Sequence, residues 1–168
     1  MSEIKIIKNC LTEKDFQSVK NTIYSDNFQW YLNFGVNLKN DGFVQFTHTF
    51  YNNYTKNSDL FDNLKPLIQL LNPLSLIRIK ANLLVKTNEI IEHGMHTDQL
   101  FKCSTAIFYL NTNNGYTKFE NGKIISSEEN KLVMFDNFLK HSGSTSTDTN
   151  ERIVINFNYI EKKQLNDN

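Results

Sequence analysis

Strict alternation of apolar and polar side chains in the second half of the chain is typical of long β-strands. Over residues 77–86, one face carries Ile77, Ile79, Ala81, Leu83 and Val85, and the other carries Arg78, Lys80, Asn82 and Lys86. Residues 152–160 alternate in the same way, with Arg152, Val154, Asn156 and Asn158 on the more polar face. Successive strand residues point to opposite sides. We therefore expect the apolar faces to pack on helices and the polar faces to line a cavity.

The first half of the chain predicts two helical segments and shorter strands. Thr12 is placed to cap a helix that ends near residue 24, with Asp15 at the capping-box position. Ser58 is placed to cap a second helix, which Pro66 splits or kinks because proline lacks the backbone donor. Aromatic and β-branched residues predict strands at 3–8, 28–32 and 43–51.

Further strands are predicted at 103–111, 116–119, 122–126 and 131–135. Two helices followed by many strands indicate an α+β fold that is mainly β, with the helices packed on the major sheet. A polar interior is costly unless it binds something, so we expect a double-sheet jelly roll with a cofactor at its mouth. No linker or repeat divides residues 1–168, so a single domain is predicted, with helices and edge strands in 1–74 and the jelly-roll core in 75–160.

The composition narrows the possible partners. Across 168 residues the formal net charge is zero, so no overall field attracts nucleic acid or an anionic membrane. No apolar run approaches the ~20 residues of a membrane span, and the N-terminus lacks the pattern of a secretory signal. Cys10 and Cys103 are too few for a disulfide framework and are expected to be reduced thiols. We expect a cytoplasmic protein.

The triplet His96-Thr97-Asp98 and the distant His141 supply a candidate metal site. Residues i and i+2 of a strand project to the same side, so His96 and Asp98 can reach one ion. His141 follows an apolar strand and can be delivered by a neighbouring one. Two imidazoles with one carboxylate suit Fe(II) and leave positions open for substrates. Zinc with a bound water also tolerates these ligands.

The remaining histidines are weaker candidates. His93 lies three residues before His96, but position 95 is Met, so it lacks the carboxylate two residues on. We interpret His93 as a loop residue or as a neighbour of the metal ligands. His48 lies within a predicted strand and is interpreted as a partly buried structural histidine.

Arginine occurs only at Arg78 and Arg152, which makes the position of each one informative. Arg152 lies 11 residues after His141 on the polar face of its strand. A guanidinium binds a carboxylate through two parallel hydrogen bonds, so Arg152 can anchor a dicarboxylic cosubstrate. The alternative is a surface salt bridge with Glu151 or Glu161.

These residues resemble the Fe(II)/2-oxoglutarate-dependent dioxygenases, especially the small prolyl-4-hydroxylase-like branch found in viruses and bacteria. The resemblance spans about residues 75–160. It rests on His96-x-Asp98, His141 and Arg152, on 108–111 (like the "YLN" strand), on 115–119 (like "GGxTxF") and on 132–137 before the distal histidine. Two positions depart from the pattern: Asn114 replaces the first glycine, and Val154 stands where many relatives carry Ser or Thr.

The resemblance implies a double-stranded β-helix and specific roles for individual residues. His96, Asp98 and His141 would bind Fe(II), and Arg152 would pair with the distal carboxylate of 2-oxoglutarate. Tyr109 would donate its hydroxyl to the same carboxylate, and Asn82 would support the cosubstrate or substrate. The implied reaction uses dioxygen to hydroxylate a C–H bond, with release of succinate and CO2.

The substrate is less constrained by the sequence. Candidates for its wall are Trp30, Tyr31, Phe34 and the segment 99–101, although Trp30 and its neighbours also fit a role as core aromatics. The resemblance favours a peptide or protein side chain, with proline the best single choice, and a small molecule is the alternative. Zero net charge argues against a nucleic-acid substrate. The competing hypothesis is a cupin-like metal-binding module that is non-catalytic or independent of 2-oxoglutarate.

Overall fold

The computed structural model of the protein describes residues 3–37 and 41–162. The helical segments in this part are α1 (Glu13–Ile23), a 3-10 helix (Asp59–Leu64) and α2 (Lys65–Leu71). The strands are β1 (Lys5–Ile7), β2 (Tyr31–Phe34), β3 (Val44–Asn52), β4 (Thr55–Lys56), β5 (Pro73–Val85), β6 (Ser104–Tyr109), β7 (Tyr116–Phe119), β8 (Ile124–Ser126), β9 (Lys131–Asp136), β10 (His141–Gly143) and β11 (Glu151–Glu161).

The strands form two antiparallel sheets that enclose the polar faces predicted above. The major sheet has the order β1-β9-β6-β11-β5-β3-β2, with β4 paired to β3. The minor sheet has the order β10-β7-β8. The two longest strands, β5 and β11, pair from Glu161↔Pro73 to Glu151↔Val85, with register shifts after Asn158 and after Ile160. The predicted mainly β double-stranded β-helix with N-terminal helices is confirmed.

The helices cover the apolar face of the major sheet, as predicted. Phe16 and Val19 of α1 and Leu67 of α2 are buried in one cluster with Ile79 of β5 and Ile155 of β11. A second apolar cluster lies between the sheets. Its buried members are Ile107, Tyr109, Phe119, Ile125, Val133, Phe135, Leu139 and Val154.

Local signals fixed the helix boundaries. Thr12 caps α1 by accepting a hydrogen bond from the Asp15 backbone N–H, and the Thr12 hydroxyl donates to Asp15 Oδ2 at 2.8 Å. Ser58 Oγ accepts from the Leu60 N–H at the start of the 3-10 helix. Pro66 lies in the first turn of α2, where its missing donor costs nothing, so the second helical segment is split there.

Two strand predictions need correction. The strand predicted at 28–32 is β2 at Tyr31–Phe34, because Phe28 lies in a turn, with its N–H bonded to Ser25 O, and packs into the core. Strand β10 was not predicted, since three residues show no alternation. Cys10 and Cys103 are free thiols, as expected. Among the described residues, no helix has the length and apolar character to cross a membrane.

Candidate metal centre

Backbone pairing between the loop that carries His96 and the start of β10 brings two of the predicted metal ligands together. His96 and His141 exchange both backbone hydrogen bonds, each 3.0 Å long, as an isolated antiparallel bridge. Their rings lie 4.6 Å apart, centroid to centroid. One ligand atom from each of His96, Asp98 and His141 lies within 4.8 Å of the others. Ligands about 2.1 Å from one ion lie at most about 4.2 Å apart, so small side-chain rotations complete the site.

The Asp98 carboxylate is fixed by two groups of the major sheet. Arg78 Nη2 lies 3.0 Å from Asp98 Oδ1, and Asn158 Nδ2 donates to Oδ2 at 3.0 Å. Arg78 Nε also donates to Asn158 Oδ1 at 3.0 Å, which joins the three side chains. Burial raises the pKa of Asp98, but Arg78, His141 and Asn158 outweigh it, so the pKa lies below its ordinary value. The group is therefore ionised and oriented.

His141 lies in an apolar environment that keeps its imidazole neutral. It is 3% exposed, and its ring lies 4.9 Å from the Phe135 ring. Burial lowers the pKa of His141 to about 4. Its Nδ1 is buried without a hydrogen-bonding partner among the described residues. A neutral imidazole has a free lone pair for a metal ion, and a set of two imidazoles and one carboxylate fits Fe(II) or Zn²⁺.

The segment after the metal triplet is tied to the strand that leads to His141. Asn137 is fully buried, and its Oδ1 accepts from the Gln99 N–H at 3.0 Å. Its Nδ2 donates to Gln99 O at 2.6 Å and to Phe101 O at 3.3 Å. One side chain thus holds the backbone next to Asp98 in position. This role of Asn137 was not predicted from the sequence, because its partners are backbone atoms distant in sequence.

Arg152 is a buried cation at the other end of the cavity. It is 3% exposed, Nε donates to Ser127 Oγ at 2.8 Å, and Nη2 donates to Thr117 Oγ1 at 3.2 Å. Burial lowers its pKa. No described carboxylate lies within salt-bridge distance of it, so the alternative salt bridges with Glu151 and Glu161 are not formed.

The residue just before β7, Gly115, lies in close contact with the Arg152 side chain. A Cβ atom at Gly115 would lie 2.7 Å from Arg152 Cδ and 2.7 Å from Thr145 O, closer than real contacts allow. Glycine at this position is therefore required by the close approach of the arginine.

The Tyr109 hydroxyl reaches the Arg152 end of the cavity through Thr117. It donates to Thr117 Oγ1 at 2.8 Å, and the Arg152 guanidinium lies 5.7 Å from the Tyr109 ring centroid. Tyr109 is fully buried and does not line the cavity, whereas Thr117 does. Direct donation from Tyr109 to a cosubstrate thus stays a prediction. In this structure the Tyr109 hydroxyl donates instead to Thr117 Oγ1, and no role for Thr117 was predicted from the sequence.

The cavity extends from the metal cluster to Arg152. It encloses roughly 580 Å³, counting its open mouth. The lining residues are Val36, Asn37, Gln45, Lys80, Asn82, Leu84, His93, His96, Asp98, Ile107, Thr117, His141, Gly143, Arg152, Val154 and Asn156. Asn82 therefore faces the interior side on which it was predicted.

The two remaining histidines differ in their hydrogen bonding. His93 is outside the three-residue cluster, and both of its ring nitrogens are buried without partners among the described residues. His48 is structural: Nδ1 lies 2.7 Å from Gln29 O and Nε2 lies 2.8 Å from Ser58 Oγ. His93 lines the cavity beside the metal ligands, and His48 does not.

The predicted substrate-wall residues are divided between core and surface. Trp30 packs against Phe28 at 4.8 Å between ring centroids, as a core aromatic residue. By contrast, Tyr31, Phe34, Leu100 and Phe101 are exposed. None of these five residues lines the cavity itself.

Comparison with solved structures places this geometry in a known fold. A 2OG-Fe(II) oxygenase family protein from Burkholderia pseudomallei superposes with a TM-score of 0.65 at 12% identity, covering 94% of this chain and 84% of the other. A Pseudomonas putida prolyl-4-hydroxylase gives a TM-score of 0.65 at 12% identity, covering 96% and 94%. The chain has the 2-oxoglutarate–Fe(II) oxygenase fold. The fold that the resemblance implied is thus confirmed.

A third neighbour with this fold contains the groups that the site residues suggest. The epimerase SnoN, in complex with Fe3+, α-ketoglutarate and nogalamycin RO, gives a TM-score of 0.65 at 11% identity and covers 95% of this chain and 79% of the other. No protein-family profile matches this sequence. No curated protein matches it either.

Proposed function

We propose that this chain is an Fe(II)- and 2-oxoglutarate-dependent dioxygenase that hydroxylates a C–H bond and releases succinate and CO2. The observation that carries the proposal is Arg152. It is a buried guanidinium without a carboxylate partner among the described residues, and it lines the same cavity as His96, Asp98 and His141. A buried unpaired charge is costly. A dicarboxylate that reaches from Arg152 to a metal ion would remove that cost.

Each part of the site has a separate task in this reaction. His96, Asp98 and His141 would hold iron, and Arg152 would orient the distal carboxylate through a bidentate hydrogen bond. Bound iron and the 2-oxo acid would supply the oxidising chemistry. The chain supplies geometry: Arg78 and Asn158 fix the Asp98 carboxylate, and the apolar side chains of Leu84, Ile107 and Val154 limit water in the cavity.

The competing function is a metal-binding module that does not use 2-oxoglutarate. Such a module has no need for a buried arginine at the far end of a metal cavity. Val154 replaces a possible hydrogen bond to the cosubstrate with an apolar contact, so it bears on affinity for 2-oxoglutarate rather than on the reaction class.

For the substrate we propose a peptide or protein side chain, with proline the preferred residue. Strand β2 ends the major sheet, and its residues Tyr31, Leu32 and Phe34 are exposed. An exposed sheet edge can pair with an extended peptide. The chain continues from this edge to Val36 and Asn37 in the cavity wall. One of the structural neighbours is a prolyl-4-hydroxylase. A small molecule is the second candidate substrate, because the structural neighbour SnoN has nogalamycin RO bound.

The test is an anaerobic titration of Fe(II) and 2-oxoglutarate into the purified protein. We expect a visible metal-to-ligand charge-transfer band with wild type, and no band with His96→Ala or Asp98→Ala at equal folded content. Arg152→Ala should weaken 2-oxoglutarate binding, so that a higher 2-oxoglutarate concentration is needed to form the band. Absence of the band in folded, iron-loaded wild type overturns the proposal. In air, succinate formation without substrate should follow the same pattern.

A further inference from the structure

The cavity wall formed by β5 and β11 contains an ordered series of cross-strand pairs. From one end to the other these pairs are Leu84↔Arg152, Asn82↔Val154 and Lys80↔Asn156, which line the cavity, and then Arg78↔Asn158, which lies just beyond the lining. Alternate residues of a strand share a face, and successive pairs on it lie about 6.6 Å apart. The pair Lys80↔Asn156 is therefore adjacent to the pair that holds Asp98, and two pairs away from Arg152.

Lys80 is a cation in the cavity without a protein partner. Its ammonium makes no hydrogen bond or ion pair with the described residues, although Asp98 and Arg78 are near enough to influence its charge. Burial, assisted by Arg78, lowers the pKa of Lys80 to about 8, while Asp98 opposes the shift. Across the strand pair, Asn156 Oδ1 is also buried without a partner. Unpartnered polar groups in a cavity wall indicate a polar ligand.

The other two cations of this wall already have assigned partners. Arg78 pairs with Asp98 at 3.0 Å, and Arg152 is assigned to the distal carboxylate of the cosubstrate. The cosubstrate carries a second carboxylate at its oxo-acid end, which must lie beside the metal. Lys80 is the remaining cation of this wall, and it is near enough to Asp98 to interact with it electrostatically.

We propose that Lys80 binds the 1-carboxylate of 2-oxoglutarate, so that the cavity holds the dianion at both ends. This inference rests on the proposed function. The lysine adds a charge-assisted hydrogen bond at the oxo-acid end. The affinity for 2-oxo acids as a class then depends on Lys80, whereas the preference for a five-carbon dicarboxylate depends on Arg152.

The experiment measures binding without turnover, by calorimetry on protein loaded with Mn(II), which holds the site without oxidation of iron. The probes are 2-oxoglutarate and 2-oxobutyrate, which has the same oxo-acid end but no distal carboxylate. The 2-oxobutyrate affinity is read by its displacement of 2-oxoglutarate. The variants are Lys80→Met, which keeps the length of the side chain, Lys80→Arg, which keeps the charge, and Arg152→Met.

We expect Lys80→Met to weaken the binding of both probes by the same factor. The loss should be about 10–100-fold, as for the loss of a hydrogen bond between charged groups. Lys80→Arg should recover part of this loss. Arg152→Met should weaken 2-oxoglutarate and leave 2-oxobutyrate unchanged. Unaltered Mn(II) affinity in Lys80→Met separates a contact with the oxo acid from damage to the metal site.

Two results overturn the inference. One is wild-type affinity of Lys80→Met for 2-oxoglutarate. The other is weakened 2-oxoglutarate binding with unchanged 2-oxobutyrate binding, which assigns Lys80 to the distal carboxylate. If metal-loaded wild type binds no 2-oxoglutarate, the proposed function itself fails. The two failures are therefore distinguishable.

Discussion

Arg78 Nη2 and Asp98 Oδ1 lie 3.0 Å apart, so one of the two arginines of the chain fixes the carboxylate of the candidate metal site. The Asp98 side chain is 6% exposed and that of Arg78 is 21% exposed. In an environment of this burial, the carboxylate depends on its partners to remain ionised. The pair therefore stabilises the metal-free protein and keeps the Asp98 carboxylate ionised, as a metal ligand must be.

Arg78→Gln should destabilise the metal-free protein and increase its response to metal. Removing the guanidinium leaves Asp98 with Asn158 as its remaining hydrogen-bond donor, at a cost of about 2–4 kcal/mol in the free energy of unfolding. A bound divalent cation replaces the lost positive charge. Thermal unfolding with chelator and with Zn²⁺ should show a lower Tm for the metal-free variant and a larger metal-induced rise than in wild type. Equal rises in the two proteins would contradict this role.

Much of the fold was predictable because strand faces follow from alternation alone. The pattern around Asn82 and Arg152 correctly predicted which side chains face the cavity, since the period of a strand leaves two choices and only one buries the apolar side. Strand β2 was misplaced because the aromatic residues near Phe28 reflect packing into the core rather than strand pairing.

The partners within the site could not be predicted in the same way. That Arg78 would pair with Asp98 depends on the register between β5 and β11 and on the path of the loop that carries Asp98. Thr117, which accepts from both Tyr109 and Arg152, depends on how the minor sheet is placed over the major one. Such contacts join residues distant in sequence, and no local pattern encodes them.

Asn137→Ala should weaken metal binding although Asn137 is not a ligand. The substitution removes the hydrogen bonds to Gln99 and Phe101 that hold the backbone after Asp98, and leaves the Gln99 N–H and carbonyl without these partners. We expect a loss of about 2–3 kcal/mol in stability and roughly 10-fold in metal affinity. Calorimetric titration with Mn(II) measures the second effect.

The matched control for Asn137→Ala is Phe138→Ala, at the next position. Phe138 is 52% exposed, so its truncation should change neither quantity appreciably. If the two variants bind metal equally well, Asn137 has no part in positioning Asp98.

Gly115→Ala should damage the Arg152 end of the cavity. The added methyl would lie 2.7 Å from Arg152 Cδ and from a backbone oxygen, so the arginine must move. We expect a stability loss of about 1–3 kcal/mol and weaker 2-oxoglutarate binding with unchanged metal affinity. The control is Gly94→Ala, whose methyl would meet only the end of the Asn37 side chain, at 3.2 Å. Tight 2-oxoglutarate binding in Gly115→Ala would show that the position of Arg152 is not critical.

Lys80→Met should stabilise the metal-free protein at neutral pH, in contrast to most substitutions of lining residues. The folded-state pKa of Lys80, about 8, lies below its ordinary value because of burial. Below pH 8 the folded protein must carry the ammonium of this half-buried side chain, and the penalty disappears as the pH rises from about 8 to the pKa of the unfolded chain, about 10.4. We expect Lys80→Met to be more stable at pH 7 by about 1–2 kcal/mol, with a smaller difference at pH 10.

Urea unfolding of wild type and Lys80→Met at both pH values, with chelator present, measures the change. Groups that titrate in both proteins cancel in the comparison, so the difference reports on Lys80. Lys86→Met, at an exposed position just beyond the end of β5, is the control and should match wild type at both pH values. A stability difference that does not vary with pH, or a less stable Lys80→Met at pH 7, would mean that the ammonium is already well solvated in the empty cavity. In that case the Lys80 ammonium would not destabilise the ligand-free protein.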